Sequence, residues 1–94
     1  MLVPTEFKDV CARFHQDIHL THKSPEGVVE FALRGTKGEQ AGIVKAFLDE
    51  LLSGKYDEEQ IQKIWFETPA DIYFPKRSDL ISVLQLMRER LAAG

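Results

Sequence analysis

The sequence is poor in most features that would assign it a class at once. Cys11 is its only cysteine, so no disulfide framework can staple the chain, and a reducing cytosol is the expected setting. No apolar run approaches the roughly 20 residues that span a bilayer. The first residues, MLVPTEFKD, turn acidic before a signal-peptide core can form, so no leader is expected. Positive charge is also in short supply. Lys and Arg total 12 against 15 Asp and Glu, a net charge of −3 that argues against a free-standing nucleic-acid binder. Period-2 strand runs, internal repeats, low-complexity tracts and linkers are missing. There is no serine elbow, and Gly35-Thr36-Lys37-Gly38 lacks the spacing and the preceding strand of a phosphate loop. What remains is ordinary globular composition. The chain has 94 residues, 44% hydrophobic and 29% charged, and fits a single domain over 1–94 with one modest core.

Hydrophobic spacing reads as helix almost throughout. Phe7, Val10, Cys11, Phe14 and Ile18 recur at i, i+3, i+4, i+7 and i+11, which predicts a first helix fraying near His19. Ser24-Pro25-Glu26 reads as the N-cap and first positions of a second helix carrying Val28, Val29, Phe31 and Ala32 inward, with Gly35 as its stop. Thr36 to Glu39 resembles a capping box opening a third helix, with Val44, Phe47, Leu48 and Leu51 buried and Gly54 closing it. Asp57 and Gln60 repeat that pattern before Ile61, Ile64 and Trp65, and Thr68-Pro69 ends the fourth helix. Asp71 to Pro75 is a short aromatic connector. Ser78 or Asp79 then caps a final helix with Leu80, Val83, Leu84, Met87 and Leu91 inward and Arg88 and Arg90 in its last turns. The expected fold is an all-α bundle of about five short helices.

Three constellations bear on chemistry. His15, His19 and His22, with Asp17 among them, would line one face of a continuous helix, a plausible zinc geometry. The apolar stripe fades after Ile18, however, so a solvated or capping role is the expectation and no metal site is predicted. Cys11 lies in the apolar stripe, where a thiol is usually an inert small hydrophobe, and a pair with His15 lacks a third orienting group. Asp57, Glu58 and Glu59 sit at a helix start, where negative charge is favoured without catalysis. Ile64-Trp65-Phe66 and Ile72-Tyr73-Phe74 are read mostly as core, with Tyr73 the one to show an edge at the surface. No enzyme and no cofactor is expected.

Charge is unevenly spread. Residues 1–48 are neutral, whereas residues 49–71 hold Asp49, Glu50, Asp57, Glu58, Glu59, Glu67 and Asp71 against Lys55 and Lys63, a net of −5. Residues 76–94 carry a net of +2. The bland account is a solvated helix face. The sharper one is a surface that steers onto a basic protein partner.

Phe14-His15-Gln16-Asp17, followed by Phe47 through Ile61 with its helix, short glycine turn and acid-capped helix, resembles the immunity proteins of bacterial contact-dependent growth inhibition systems. The terminal amphipathic helix agrees, so the likeness spans nearly the whole chain, with Ile18 standing where the family pattern has an aromatic. The resemblance implies a small cytoplasmic protein that binds the C-terminal toxin domain delivered by a neighbouring cell, commonly a nuclease with a basic cleft, and neutralises it one to one. The partner-binding residues expected on charge and resemblance together are Asp57, Glu58, Glu59, Glu67, Asp71 and Tyr73, with His15 and Asp17 added by the resemblance alone. No nucleic acid and no membrane is expected as partner. The other classes are a small metal-binding or regulatory helical protein built on His15, His19 and His22, and a helix-turn-helix DNA regulator, which the acidic middle disfavours.

Overall fold

Capping residues and glycines decide where the apolar stripes of this chain become helix. In the computed structural model, which describes residues 3–14, 24–70 and 76–93, there are five helices among the described residues and no strand. They are α1 (Thr5–Cys11), α2 (Pro25–Leu33), α3 (Gly38–Leu51), α4 (Glu58–Phe66) and α5 (Arg77–Ala93). The fold is a small all-α bundle. No described helix is long and apolar enough to cross a membrane.

The first helix is shorter than its stripe predicts. α1 stops at Cys11, and the chain closes with tighter bonds from Arg13 N to Val10 O (3.1 Å) and from Phe14 N to Cys11 O (3.0 Å). Phe14 is nevertheless fully buried, so the spacing marked core positions beyond the end of the helix. The Arg13 side chain reaches across from this turn. Its Nη1 donates to Ala32 O (2.8 Å), Arg34 O (2.7 Å) and Thr36 Oγ1 (3.3 Å), fastening the exit of α1 to the end of α2.

α2 follows its signals closely. Ser24 Oγ accepts from Gly27 N at 3.1 Å, Pro25 occupies N1, and Val28, Val29 and Ala32 are buried with Phe31 half-buried. Gly35, at φ +83°, turns the chain through a left-handed conformation that a side chain rarely adopts. The capping box expected for α3 does not form. Lys37 is the N-cap without a side-chain bond, Gly38 enters at φ +60°, and the Thr36 hydroxyl is held by Arg13 instead. The final helix also starts earlier than expected. It begins at Arg77, so Ser78 and Asp79 lie inside its first turn.

Packing then assembles one core. α5 lies against α2, α3 and α4, while α1 rests on α3 and α2. Phe7 meets Phe47 with ring centroids 4.8 Å apart, and Phe14 meets the edge of Trp65 at 5.3 Å. Leu80, Val83, Leu84 and Met87 of α5 fill the centre, with Leu91 half-buried at the far end. Two ion pairs cross between helices, Arg90 to Glu30 at 2.8 Å and Arg88 to Asp49 at 3.9 Å. Both are exposed enough to contribute only modestly.

Candidate protein-binding surface

α4 carries most of the acidic segment, and its local chemistry assigns each carboxylate a different setting. Asp57 is the N-cap. Its carboxylate accepts from Gln60 N at 2.8 Å while Gln60 Oε1 accepts from Asp57 N at 2.9 Å, a complete capping box. Ile61 and Trp65 are buried against the core and Ile64 is half-buried. At 3.6 residues per turn the rest of the helix presents three outward lines. Glu58 and Gln62 form one, Glu59, Lys63 and Phe66 the second, and Gln60, Ile64 and Glu67 the third.

Glu58, Glu59 and Glu67 are all exposed, but they are not equivalent. Glu58 and Glu59 occupy the first turn, where the helix dipole favours anions. Glu59 also lies 3.8 Å from Lys63, a well-exposed pair of little energetic weight. The Glu58 line meets α5, where Arg77 Nε donates to Gln62 Oε1 at 3.1 Å. Glu67 is the C-cap residue, at the end of α4 where the dipole disfavours a carboxylate by roughly 0.3–1 kcal/mol. Among the described residues neither Glu58 nor Glu67 has an ion pair. Asp49, farther upstream, is committed to Lys45 (2.9 Å) and Arg88 (3.9 Å).

Phe66 was missed as a surface residue. Of the apolar trio 64–66, Trp65 is 3% exposed, Ile64 is half-buried, and Phe66 is 51% exposed. The signal was present, because Phe66 follows Trp65 by one residue and is therefore rotated about 100° off the buried stripe. Tyr56, Gln60, Lys63, Ile64 and Glu67 line a shallow, open notch of about 220 Å³. A second hollow, about 320 Å³, is lined by Glu30, Leu33, Lys37, Ala41, Arg90 and Leu91 among others, on the side formed by α2, α3 and α5.

His15, Asp17, His19, His22, Asp71 and Tyr73 lie outside the described residues, so the histidine cluster and half of the expected contact set are not placed. The described part does change one premise. α1 ends at Cys11, so no continuous helix carries Cys11 into His15. Cys11 is fully buried, and burial pushes its thiol up to about 12, with a hydrogen bond to the Thr68 side chain pulling weakly the other way. A thiol held protonated is a poor nucleophile and packs as a small hydrophobe. Among the described residues, no group of three His, Cys, Asp or Glu side chains is arranged to hold a metal ion.

Compared with known proteins, the chain matches no protein-family model, no curated protein and no solved structure.

Proposed function

We propose that this chain is a toxin-neutralising immunity protein of the contact-dependent growth inhibition type. It acts in the cytoplasm by binding the C-terminal toxin domain one to one, without chemistry of its own. The observation that supports this reading best is the outward surface of α4, where Glu58, Glu59 and Glu67 are exposed beside the half-exposed ring of Phe66. A nuclease cleft is basic because it must hold phosphates, and an acidic surface that also carries an exposed aromatic complements such a cleft. Long-range attraction then accelerates encounter, toward about 10⁸ M⁻¹s⁻¹ at low salt, and a few close contacts set the dissociation rate.

The test is co-expression with the toxic C-terminal domain of the exported protein encoded immediately upstream, followed by binding kinetics across ionic strength. Growth should be restored, and association should slow as salt rises. One or two of Glu58, Glu59, Glu67 and Asp71 should each cost at least about 2 kcal/mol of affinity as amides, and the others little. If the variant with all of these and Asp57 amidated still protects with unchanged salt dependence, the interface lies elsewhere and the acidic segment is a solvated face.

A further inference from the structure

We infer that the notch between the Gly54 loop and α4 receives a single arginine side chain from the protein partner. This deepens, and rests on, the reading of the chain as a protein-binding immunity protein. The notch is lined by Tyr56, Gln60, Lys63, Ile64 and Glu67 and holds about 220 Å³. That is below the roughly 300–1,000 Å³ of small-molecule sites, so it suits one side chain rather than a metabolite.

Its walls match one side chain in particular. Tyr56 supplies a half-buried aromatic ring, Ile64 an apolar wall, and Glu67 an exposed carboxylate on the same helix line as Ile64. A guanidinium is planar, weakly hydrated, stacks on aromatic faces and forks onto carboxylates, while its three methylenes pack against apolar surface. A lysine ammonium offers the charge without the plane or the fork. One wall is also formed in advance. Gln60 is fixed by its 2.9 Å bond from Asp57 N, so that side needs no ordering when the ligand arrives.

Lys63 is the group that opposes a cation here, and its pair with Glu59 is exposed and weak. Its ammonium is directed to Glu59, 3.8 Å away, and it forms no ion pair with Glu67. The Glu67 carboxylate thus remains open to an incoming cation. Helix stability does not account for Glu67 either, because it stands at the end of α4 that disfavours negative charge. The Glu67 carboxylate therefore stands exposed beside Tyr56 and Ile64 in the notch without a helix-dipole role of its own.

Two arms test the inference. In the first, the isotope-labelled protein is titrated with Nα-acetyl-arginine methylamide and, separately, with the citrulline analogue of the same shape and no charge. Saturable shifts at residues 56–67, with a dissociation constant on the order of millimolar, are expected for arginine alone. Glu67→Gln and Tyr56→Leu should each abolish saturation, and Glu39→Gln, on the first turn of α3, should leave it unchanged. Equal shifts with citrulline, or an unaltered titration in Glu67→Gln, overturn the notch. In the second arm, Glu67→Gln and Tyr56→Leu should weaken binding of the toxin domain at least about tenfold, against less than about twofold for Glu39→Gln, as expected for a buried anchor rather than a rim charge. If the wild type protects cells and Glu67→Gln binds as tightly, the notch falls while the immunity reading stands. If the wild type does not protect, the immunity reading falls, and the arginine titration still decides what the notch does.

Discussion

Replacing Arg13 by Met removes the side chain that ties the exit of α1 to the end of α2. The last carbonyls of a helix lack partners within it, and Arg13 Nη1 serves two in that region, Ala32 O at 2.8 Å and Arg34 O at 2.7 Å. It also reaches Thr36 Oγ1 at 3.3 Å, a longer contact that adds less. Hydrogen bonds to a charged group contribute about 1.5–3 kcal/mol each when buried, but these share one nitrogen, and the bond to Ala32 O is part-buried while that to Arg34 O is exposed. A combined loss of about 2–3 kcal/mol follows, with Met keeping most of the aliphatic packing. Against a total of about 5–15 kcal/mol for a domain of this kind, that is a large fraction. Thermal unfolding should show Tm falling by roughly 10–20 °C, at about 4–8 °C per kcal/mol for a domain of this size. Urea titration should give a lower midpoint with an unchanged slope, since the surface exposed on unfolding is nearly the same. Arg13→Lys should fall between, keeping the charge at the end of α2 while losing reach and planarity. A loss below about 0.5 kcal/mol in Arg13→Met would refute the argument, because surface substitutions away from such features stay within that range.

Trp65→Ala should cost about 3–5 kcal/mol in chemical denaturation, since the ring is 3% exposed and meets Phe14 edge-on; a cost below about 1 kcal/mol would mean the site collapses without a cavity. Asp57→Ala should cost about 1 kcal/mol through loss of the capping box, whereas Asp57→Asn should keep most of that stability because the amide oxygen still accepts from Gln60 N. Cys11 should resist iodoacetamide in the native protein at pH 8 and react only once unfolded, as mass spectrometry can read. The same burial has a pH consequence with a definite sign. The folded thiol titrates near 12 and the unfolded one near 9.0, so the unfolded chain loses its proton first. Stability from this group is complete below about pH 9 and is lost as pH rises toward 12, by up to about 1.4 kcal/mol per unit. Cys11→Ala should lack that part of the alkaline slope in denaturation curves measured across the range.

Residues whose structural role is local were legible in the sequence. Ser24 with Pro25, and Asp57 with Gln60, formed the caps their spacing implied, because both partners of each bond lie within one turn. The apolar stripes of α3 and α5 went inward because helical periodicity alone puts them on one face. Errors arose where a distant residue decided the outcome. Arg13 and Thr36 are 23 positions apart, and their contact joins the exit of α1 to the entry of α3, whose N-cap is Lys37 rather than Thr36. Nothing in either local stretch announces that pairing. Phe66 is a different case. Its rotation off the buried line was visible, but grouping it with Trp65 by composition hid it. In the candidate site, sequence could mark the acids as a set but could not rank them.

The ranking matters because two properties of a binding surface depend on charge in different ways. Attraction across solvent, within a Debye length of about 8–10 Å or slightly beyond, counts every ionised carboxylate whatever hydrogen bonds it makes. On the proposed reading, Asp57 would therefore contribute to steering although one of its oxygens accepts from Gln60 N. Close contact counts only groups whose remaining lone pairs face the partner in a shaped setting. Asp49 is paired with Lys45 and Arg88, Asp57 holds its cap, and Glu59 stands beside Lys63; among the described residues Glu50 on α3 has no ion pair, and at α4 the acids without one are Glu58 and Glu67. Of these two, Glu58 sits where the helix dipole already rewards it. Glu67 sits where the dipole opposes it, beside Tyr56 and Ile64 in the notch. On the proposed reading, a segment that looks uniform in composition would separate into acids that set how fast a basic partner arrives and one, Glu67, that helps to hold it.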